Sequence, residues 1–293
     1  MTAKMLGALR HPTHRFVLGD AEVTTILDGA LTMGIKPPFL LDKEEEEIAG
    51  IAEAAHLPTD RLENNFIPAL VNTGSELVLI DTGCGHFRRE AGAGFLRERL
   101  ADAGYAPEDI DIVAFTHVHP DHIGGILEDG ALAFSNAELM IGRREFDEWH
   151  SGANIPPQRA ENREMFMSLV APLAERFRFL EDGDRVASGI TAEAAFGHSL
   201  GHMMFRVESA GKQVLVWGDV ANHFVFSVGH PESPVGFDDD KEAAIATRRR
   251  VLDMAATDGL LIAGHHMPYP SVGYVERDGG GHRRTPAGYQ LRL

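Results

Sequence analysis

The apolar residues of this chain fall into short runs divided by polar turns, and the spacing within the runs separates strands from helices. Alternating positions at 14–18 and 22–27 predict two strands, joined around Gly19-Asp20 and ended by Asp28-Gly29. Unbroken apolar runs at 77–80, 112–115 and 260–263 predict strands, the run 112–115 a buried one, and 137–141, apolar but for Glu138, predicts another. Further strands are expected at 66–71, 191–196, 204–208, 213–216, 272–275 and 289–293, with turns at 72–75 and at Ala210-Gly211 closing two hairpins. Helical spacing marks 42–55, 93–103, 143–150, 159–177 and 238–256, with interruptions around 152–157 and at Pro172, whereas 33–39, with Pro37-Pro38, reads as irregular. The long helix 238–256 starts with the acids Asp238 to Asp240 and turns Ile245, Val251, Leu252 and Ala255 to one side, which leaves Arg248-Arg249-Arg250 on its wet face.

The chemistry sits at the ends of these strands. Residues 112–115 run into Thr116-His117-Val118-His119-Pro120-Asp121-His122-Ile123-Gly124-Gly125. His117 and His119 are two apart and project to one side of an extended backbone, while Asp121 and His122 turn beyond Pro120 towards a neighbouring point. Two metal ions can share such a cluster. Imidazole and carboxylate suit Zn(II), with Fe(II), Mn(II) or Co(II) as further occupants, and the lack of thiolate argues against a structural zinc site of the cysteine type. In a chain with 15 histidines a lone His-x-His means little, but four donors in this short stretch after a strand mark a site. Other strand ends deliver Asp81-Thr82-Gly83, Gly197-His198-Ser199-Leu200-Gly201-His202, Trp217-Gly218-Asp219 and Gly264-His265-His266-Met267-Pro268-Tyr269-Pro270. Asp81 and Asp219 also fit ordinary turns, and only one of His265 and His266 need be a ligand.

Composition narrows the setting. At 293 residues and 44% hydrophobic content the chain can bury a large core, and one domain over 1–293 is expected, with an N-terminal arm at 1–14 and a helical insertion near the active site at 143–177. No apolar run reaches the roughly 18 residues of a membrane span, and the N-terminus lacks a signal peptide's apolar core, so a soluble, cytoplasmic protein without membrane partners is expected. The single cysteine, Cys84, excludes an intrachain disulfide and reads as a small buried residue. A formal charge of −17 repels phosphate backbones, so nucleic acid is an unsuitable partner and a small molecule the expected substrate.

His117, His119, Asp121 and His122 form the His-x-His-x-Asp-His signature of the metallo-β-lactamase superfamily, which the chain resembles over nearly its whole length. The resemblance implies a four-layer αββα sandwich, an α/β (α+β) fold of two mixed β-sheets with helices outside and metals in a cleft at one edge. It makes Asp81 a brace beneath the metal loop, His198 the ligand of the Gly-His-x-x-Gly-His pattern with His202 behind it, and Asp219 the bridging carboxylate. Enzymes similar to methyl parathion hydrolase and the N-acyl homoserine lactonases carry His-x-Pro-aromatic-Pro at the last strand end, which puts the ligand at His266 and His265 beside it. One ion would then be held by His117, His119 and His198, the other by Asp121, His122 and His266. The implied activity is metal-dependent hydrolysis of a lactone or ester by a bridging hydroxide, with Asp121 and Asp219 as catalytic residues and two divalent ions, zinc foremost, as cofactors. Phosphotriester hydrolysis is the alternative, and an iron-dependent oxidative member of the fold, such as a persulfide dioxygenase, is a further one. A homodimer through the N-terminal arm is expected by the same analogy. The substrate pocket is expected to draw on Phe87, Trp149, Asn222, His223 and Phe224, with Phe39, Phe66 and Phe226 as other aromatic candidates.

Overall fold

The computed structural model describes residues 3–5, 7–35, 38–289 and 291–292. Up to Leu180 the chain forms β1 (Thr13–Leu18), β2 (Ala21–Ile26), β3 (Gly29–Gly34), β4 (Arg61–Phe66), β5 (Ala69–Asn72), β6 (Leu77–Ile80), β7 (Ile112–Phe115), β8 (Leu127–Glu128), β9 (Ala131–Leu132), β10 (Glu138–Gly142) and β11 (Phe177–Leu180). The β3–β4 and β8–β9 pairs are separate ribbons, and the others make one sheet in the order β1-β2-β5-β6-β7-β10-β11. Its near half is antiparallel, while β6, β7, β10 and β11 run parallel. The remainder forms β12 (Arg185–Ala187), β13 (Ile190–Ala194), β14 (Met203–Ser209), β15 (Lys212–Val216), β16 (Leu261–Ala263), β17 (Val272–Asp278) and β18 (Gly281–Pro286), a second sheet in sequence order. Only its β15–β16 pair is parallel.

Side-chain alternation explains the layers. Val78, Ile80, Ile112 and Ala114 point between the sheets, where they meet Met203, Phe205, Val216 and Ala263. Leu79, Val113 and Phe115 point outward onto Leu96 and Leu100 of α2 (Leu96–Asp102), Phe146 and Trp149 of α4 (Arg143–Ser151), and Phe166 of α5 (Ala160–Leu169). On the opposite outer face Leu215 and Ile262 pack on Val251, Leu252 and Ala255 of α7 (Lys241–Asp258). The layer order is therefore helix, sheet, sheet, helix, as expected. The chain also forms α1 (Glu45–Ala54) and α6 (Phe226–Gly229). Central strands covered on both faces need no polar positions, which is why their sequence is unbroken.

Several expected boundaries move. The strand expected at 66–71 breaks at Ile67-Pro68, since Pro68 has no N–H for the ladder: Phe66 closes β4 opposite Gly29, and β5 begins at Ala69. β3 runs through 29–34, so the irregular segment is shorter than expected; Lys36 and Pro37 of that segment lie outside the described residues. The helical stretch expected at 159–177 is interrupted at Pro172 as expected, in a 3-10 turn, but its helix stops already at Leu169 and Phe177 opens β11. The C-terminal stretch forms a full hairpin, β17–β18, and Leu291 accepts a hydrogen bond from Val17 N–H at 2.9 Å; Gln290 and Leu293 lie outside the described residues, as do Met1, Thr2 and Leu6 of the arm. The last helix starts only at Lys241, because Asp240 caps it by accepting Ala243 N–H at 3.0 Å.

One residue on the supposed wet face is in the interior. Arg249 and Arg250 are exposed, but Arg248 is fully buried, 3.2 Å from Asp238 Oδ2 and donating to the carbonyls of Pro231 and Ser233, each at 3.1 Å. Periodicity alone mistook it, because the segment 231–238 folds back over the helix and offers oxygens there.

Candidate metal centre

Five strand ends, those of β6, β7, β13, β15 and β16, and one short helix meet at one edge of the sandwich. After β6, Asp81 adopts a left-handed backbone, φ 64°, that turns its carboxylate under the loop following β7. There Oδ1 accepts Thr116 N–H and Oδ2 accepts the Thr116 hydroxyl, both at 2.8 Å, and Oδ2 also takes a hydrogen bond from His122 Nδ1 at 2.8 Å. His122 lies in the helical turn α3 (Pro120–Ile123), which Gly124-Gly125 closes. A Cβ on Gly124 would stand 2.2 Å from Cys84 O, and one on Gly125 2.2 Å from Thr82 O, so this loop lies against its neighbour only because both residues are glycine.

The donors fall into two groups joined by one carboxylate. His117, His119 and His198 bring ring nitrogens within 4.8 Å of one another, with His119 Nδ1 3.0 Å from His198 Nε2. Asp121, His122, His265 and His266 form the second group, in which Asp121 Oδ2 lies 3.6 Å from His122 Nε2 and 3.4 Å from His266 Nε2. Asp219, at the end of β15, faces both: Oδ2 is 3.2 Å from His198 Nε2 and 2.9 Å from His266 Nε2, and Oδ1 is 3.5 Å from His122 Nε2. His117 Nε2, His122 Nε2 and Asp219 Oδ1 are buried without a hydrogen-bond partner. Unsatisfied buried polar atoms are costly, and cations between the groups would satisfy all three, so the residues fit a pair of metal ions.

Each metal-facing ring is oriented from behind. His266 Nδ1 donates to Asn65 O at 2.9 Å, His198 Nδ1 to Asp238 Oδ1 at 3.0 Å, and His119 Nε2 to Asp239 Oδ2 at 3.3 Å. Asp238 is backed by Arg248, and Asp239 by Arg159 at 2.7 Å. Such outer carboxylates set the tautomer and ring angle of a ligand histidine. Sequence reasoning missed both acids by reading them as the first turn of a helix; the available signal was three acids where a cap needs one. His202 sits behind Asp219, whose backbone N–H donates to His202 Nε2 at 3.1 Å. His265 lies against His122 with ring centroids 4.0 Å apart and the planes tilted by 34°, and its Nε2 is buried without a partner.

Proton affinities in this crowd diverge. Burial, followed by repulsion from His122, His119 and His198, holds the His117 imidazole well below its ordinary value. Burial, then Arg159, brings His119 down to about 4. His198 also meets the burial penalty, but Asp219 and Asp238 outweigh it and push the ring up to about 9. Burial opposes ionisation of Asp121 as well, yet His122 and His266 prevail and lower it to about 2.

A cavity of about 460 Å³ opens over the centre, floored by His119, Asp121, His198, Asp219 and His266. Leu31, Phe66, Phe87, Met165 and Phe237 supply apolar wall, and Asn64, Arg88, Arg159, Asn162 and Asn222 polar wall. Phe87 stands at its rim, 48% exposed, and Asn222 donates to Asp219 Oδ2 at 3.0 Å. Three expected pocket residues are elsewhere. Trp149 is fully buried behind His119, because its indole N–H is taken by Ser199 Oγ at 2.9 Å. His223 and Phe224 line a neighbouring cavity of about 430 Å³, because His223 Nδ1 accepts the N–H groups of Val225 and Phe226 and turns the segment away from Asp219. Phe39 is core, and Phe226 lines that neighbouring cavity.

The Metallo-beta-lactamase superfamily model matches residues 69–266, more than half of the chain, and the protein belongs to that superfamily. The N-acyl homoserine lactonase of Bacillus cereus is 26% identical over 168 residues, covering 57% of this chain and 60% of that protein. Metallo-beta-lactamase domain-containing protein 1 of Homo sapiens is 28% identical over 236 residues, 78% of this chain and 73% of that one. The chain thus spans about 60% of the length of the lactonase it matches. Among solved structures, AidC, a dizinc quorum-quenching lactonase in complex with a product, shares the fold with a TM-score of 0.88 over 95% of this chain and 99% of that one, at 24% identity.

Proposed function

We propose that the protein is a metal-dependent hydrolase that opens a lactone of the acyl-homoserine type, or cleaves a related ester, at a two-ion centre. The observation that carries the reading is Asp219, one buried carboxylate with Oδ2 3.2 Å from His198 of one donor group and 2.9 Å from His266 of the other. When bound, the ions supply a hydroxide at neutral pH, by lowering the pKa of water from about 15.7 towards about 7, and a Lewis acid for the carbonyl oxygen. His117, His119 and His198 would hold one ion, Asp121, His122 and His266 the other, and Asp219 both. With only Asp121 and Asp219 as anionic donors, two dications and one hydroxide leave a net charge of about +1, which favours a developing oxyanion.

The remaining work falls to the chain. Asp121, its side chain 23% exposed against 3% for Asp219, is the more open of the two carboxylates that floor the cavity, and its Oδ2 is where a proton can pass to the leaving alkoxide. Asn222 fixes Asp219 by donating to Oδ2. The apolar wall of Leu31, Phe66, Phe87, Met165 and Phe237 suits an acyl chain and excludes water from it. The lactonase relative supports this substrate class. No helix among the described residues is long and apolar enough to cross a membrane, and the reading includes a cytoplasmic location. The arm carries Met5 and Leu9, 90% and 97% exposed, and a second copy of the chain is the partner we assign to it.

The test is elemental analysis of protein purified without added metal, with acyl-homoserine lactone and paraoxon hydrolysis assayed on the same sample. About two zinc-like ions per chain together with lactone turnover is the expected result. One iron per chain without hydrolysis overturns it in favour of oxidative chemistry, and turnover of paraoxon alone moves the substrate to phosphotriesters.

A further inference from the structure

Glu145 is a fully buried carboxylate that the chemistry above leaves unused. It lies in the first turn of α4, and every hydrogen bond it accepts comes from one of the two loops that carry the first donor group. Oε1 accepts Val118 N–H at 3.0 Å, and Val118 sits between His117 and His119. Oε1 also accepts the Ser199 hydroxyl at 2.5 Å, and Oε2 accepts Gly201 N–H at 2.8 Å; both residues follow His198. Trp149, one turn further along α4, donates to the same Ser199 oxygen and sets its ring edge against His119, centroids 5.6 Å apart at 79°. Gly201 is fitted to this clamp, because a Cβ there would stand 2.1 Å from Glu145 N. Burying a carboxylate is expensive when its partners are neutral donors, and burial raises this one to about 7. For packing alone an apolar side chain would serve better.

We propose that Glu145 is a positioning residue that ties the His117–His119 loop to the His198 loop and so sets the metal affinity of the first donor group, an inference that rests on the two-ion reading. It touches neither ion nor substrate. Two separate loops must keep three ring nitrogens at coordination spacing, and one carboxylate that accepts from both removes their relative freedom. The second donor group, held by Asp81 and Asn65, does not depend on it.

The test is Co(II) titration of metal-stripped protein, followed by visible absorption and equilibrium dialysis, on wild type, Glu145→Gln and Ser199→Ala. Glu145→Gln keeps the shape but turns an amide N–H₂ towards a loop donor, and its first-group affinity should fall about 10-fold or more. Affinity for the other equivalent should stay within about 2-fold. Ser199→Ala keeps the carboxylate, removes one of its three donors, and should shift the same equivalent by a smaller factor, which covers the case of Glu145→Gln failing to fold. Wild-type affinity at both equivalents in either folded variant overturns the proposal, as does an equal loss at both. A wild-type protein that binds fewer than two ions would instead overturn the two-ion reading.

Discussion

Arg248 offers the sharpest test of how the outer shell is built. Replacing it with methionine keeps most of the apolar stem and removes the charge. Asp238, whose side chain has no exposure, then keeps only the His198 imidazolium as counter-charge, and the carbonyls of Pro231 and Ser233 lose their donors. Breaking one side of a buried pair, together with the hydrogen bonds that go with it, costs about 3–5 kcal/mol. At this chain length about 1 kcal/mol moves the melting temperature by roughly 2 °C, so Arg248→Met should melt about 6–10 °C lower. The assay is thermal and urea unfolding of metal-stripped protein, which keeps metal linkage out of the comparison. Combining it with Asp238→Leu removes both charges and should recover most of the loss. The double variant should still bind the first metal equivalent about 10-fold more weakly, since His198 Nδ1 has lost its acceptor. A single variant within about 1 kcal/mol of wild type would refute the buried pair, and a double variant no more stable than the single would refute the charge argument.

Two further outcomes follow from the geometry. His266→Ala should release one of two metal equivalents by elemental analysis while His265→Ala keeps both, because His266 is the one aimed at Asp219 and Asp121; the reverse result would exchange their roles. In stripped protein, His198 is held at about 9, above its unfolded value near 6.5, so the native chain binds the extra proton between those limits. The stability from this group is complete below about pH 6.5 and is lost as pH rises to about 9, and the raised imidazoles of His122 and His266 act with the same sign. Melting temperature should therefore fall over that window in stripped protein and stay flat in metal-loaded protein, whose ligand nitrogens carry no proton to lose; a rise in the stripped protein would contradict the electrostatics.

Much of this site is legible before folding because ligand geometry near a strand end is local. The spacing of His117, His119, Asp121 and His122 and the glycines that close their loop follow from backbone period and turn chemistry within a few residues, whereas the roles expected of His198 and Asp219 come from the family resemblance. Unbroken apolar runs likewise announce strands that will be covered on both faces. What supports the donors was not legible. Asp238 and Asp239 read as acids of a helix first turn, Glu145 stands unremarked in a helical stretch, Arg248 reads as a wet residue, and Trp149, His223 and Phe224 as pocket lining. Each assignment depends on which distant segment arrives opposite: the 231–238 segment over Arg248, the His198 loop over Glu145, and Ser199 beneath Trp149. Between His265 and His266 the residues alone leave the choice open, since adjacent residues differ only in which way the packed strand turns them, and the family resemblance puts the ligand at His266. A local pattern determines which residues can bind a metal; the burial and hydrogen-bond partners that decide which nitrogen faces it exist only once the two sheets have closed on each other.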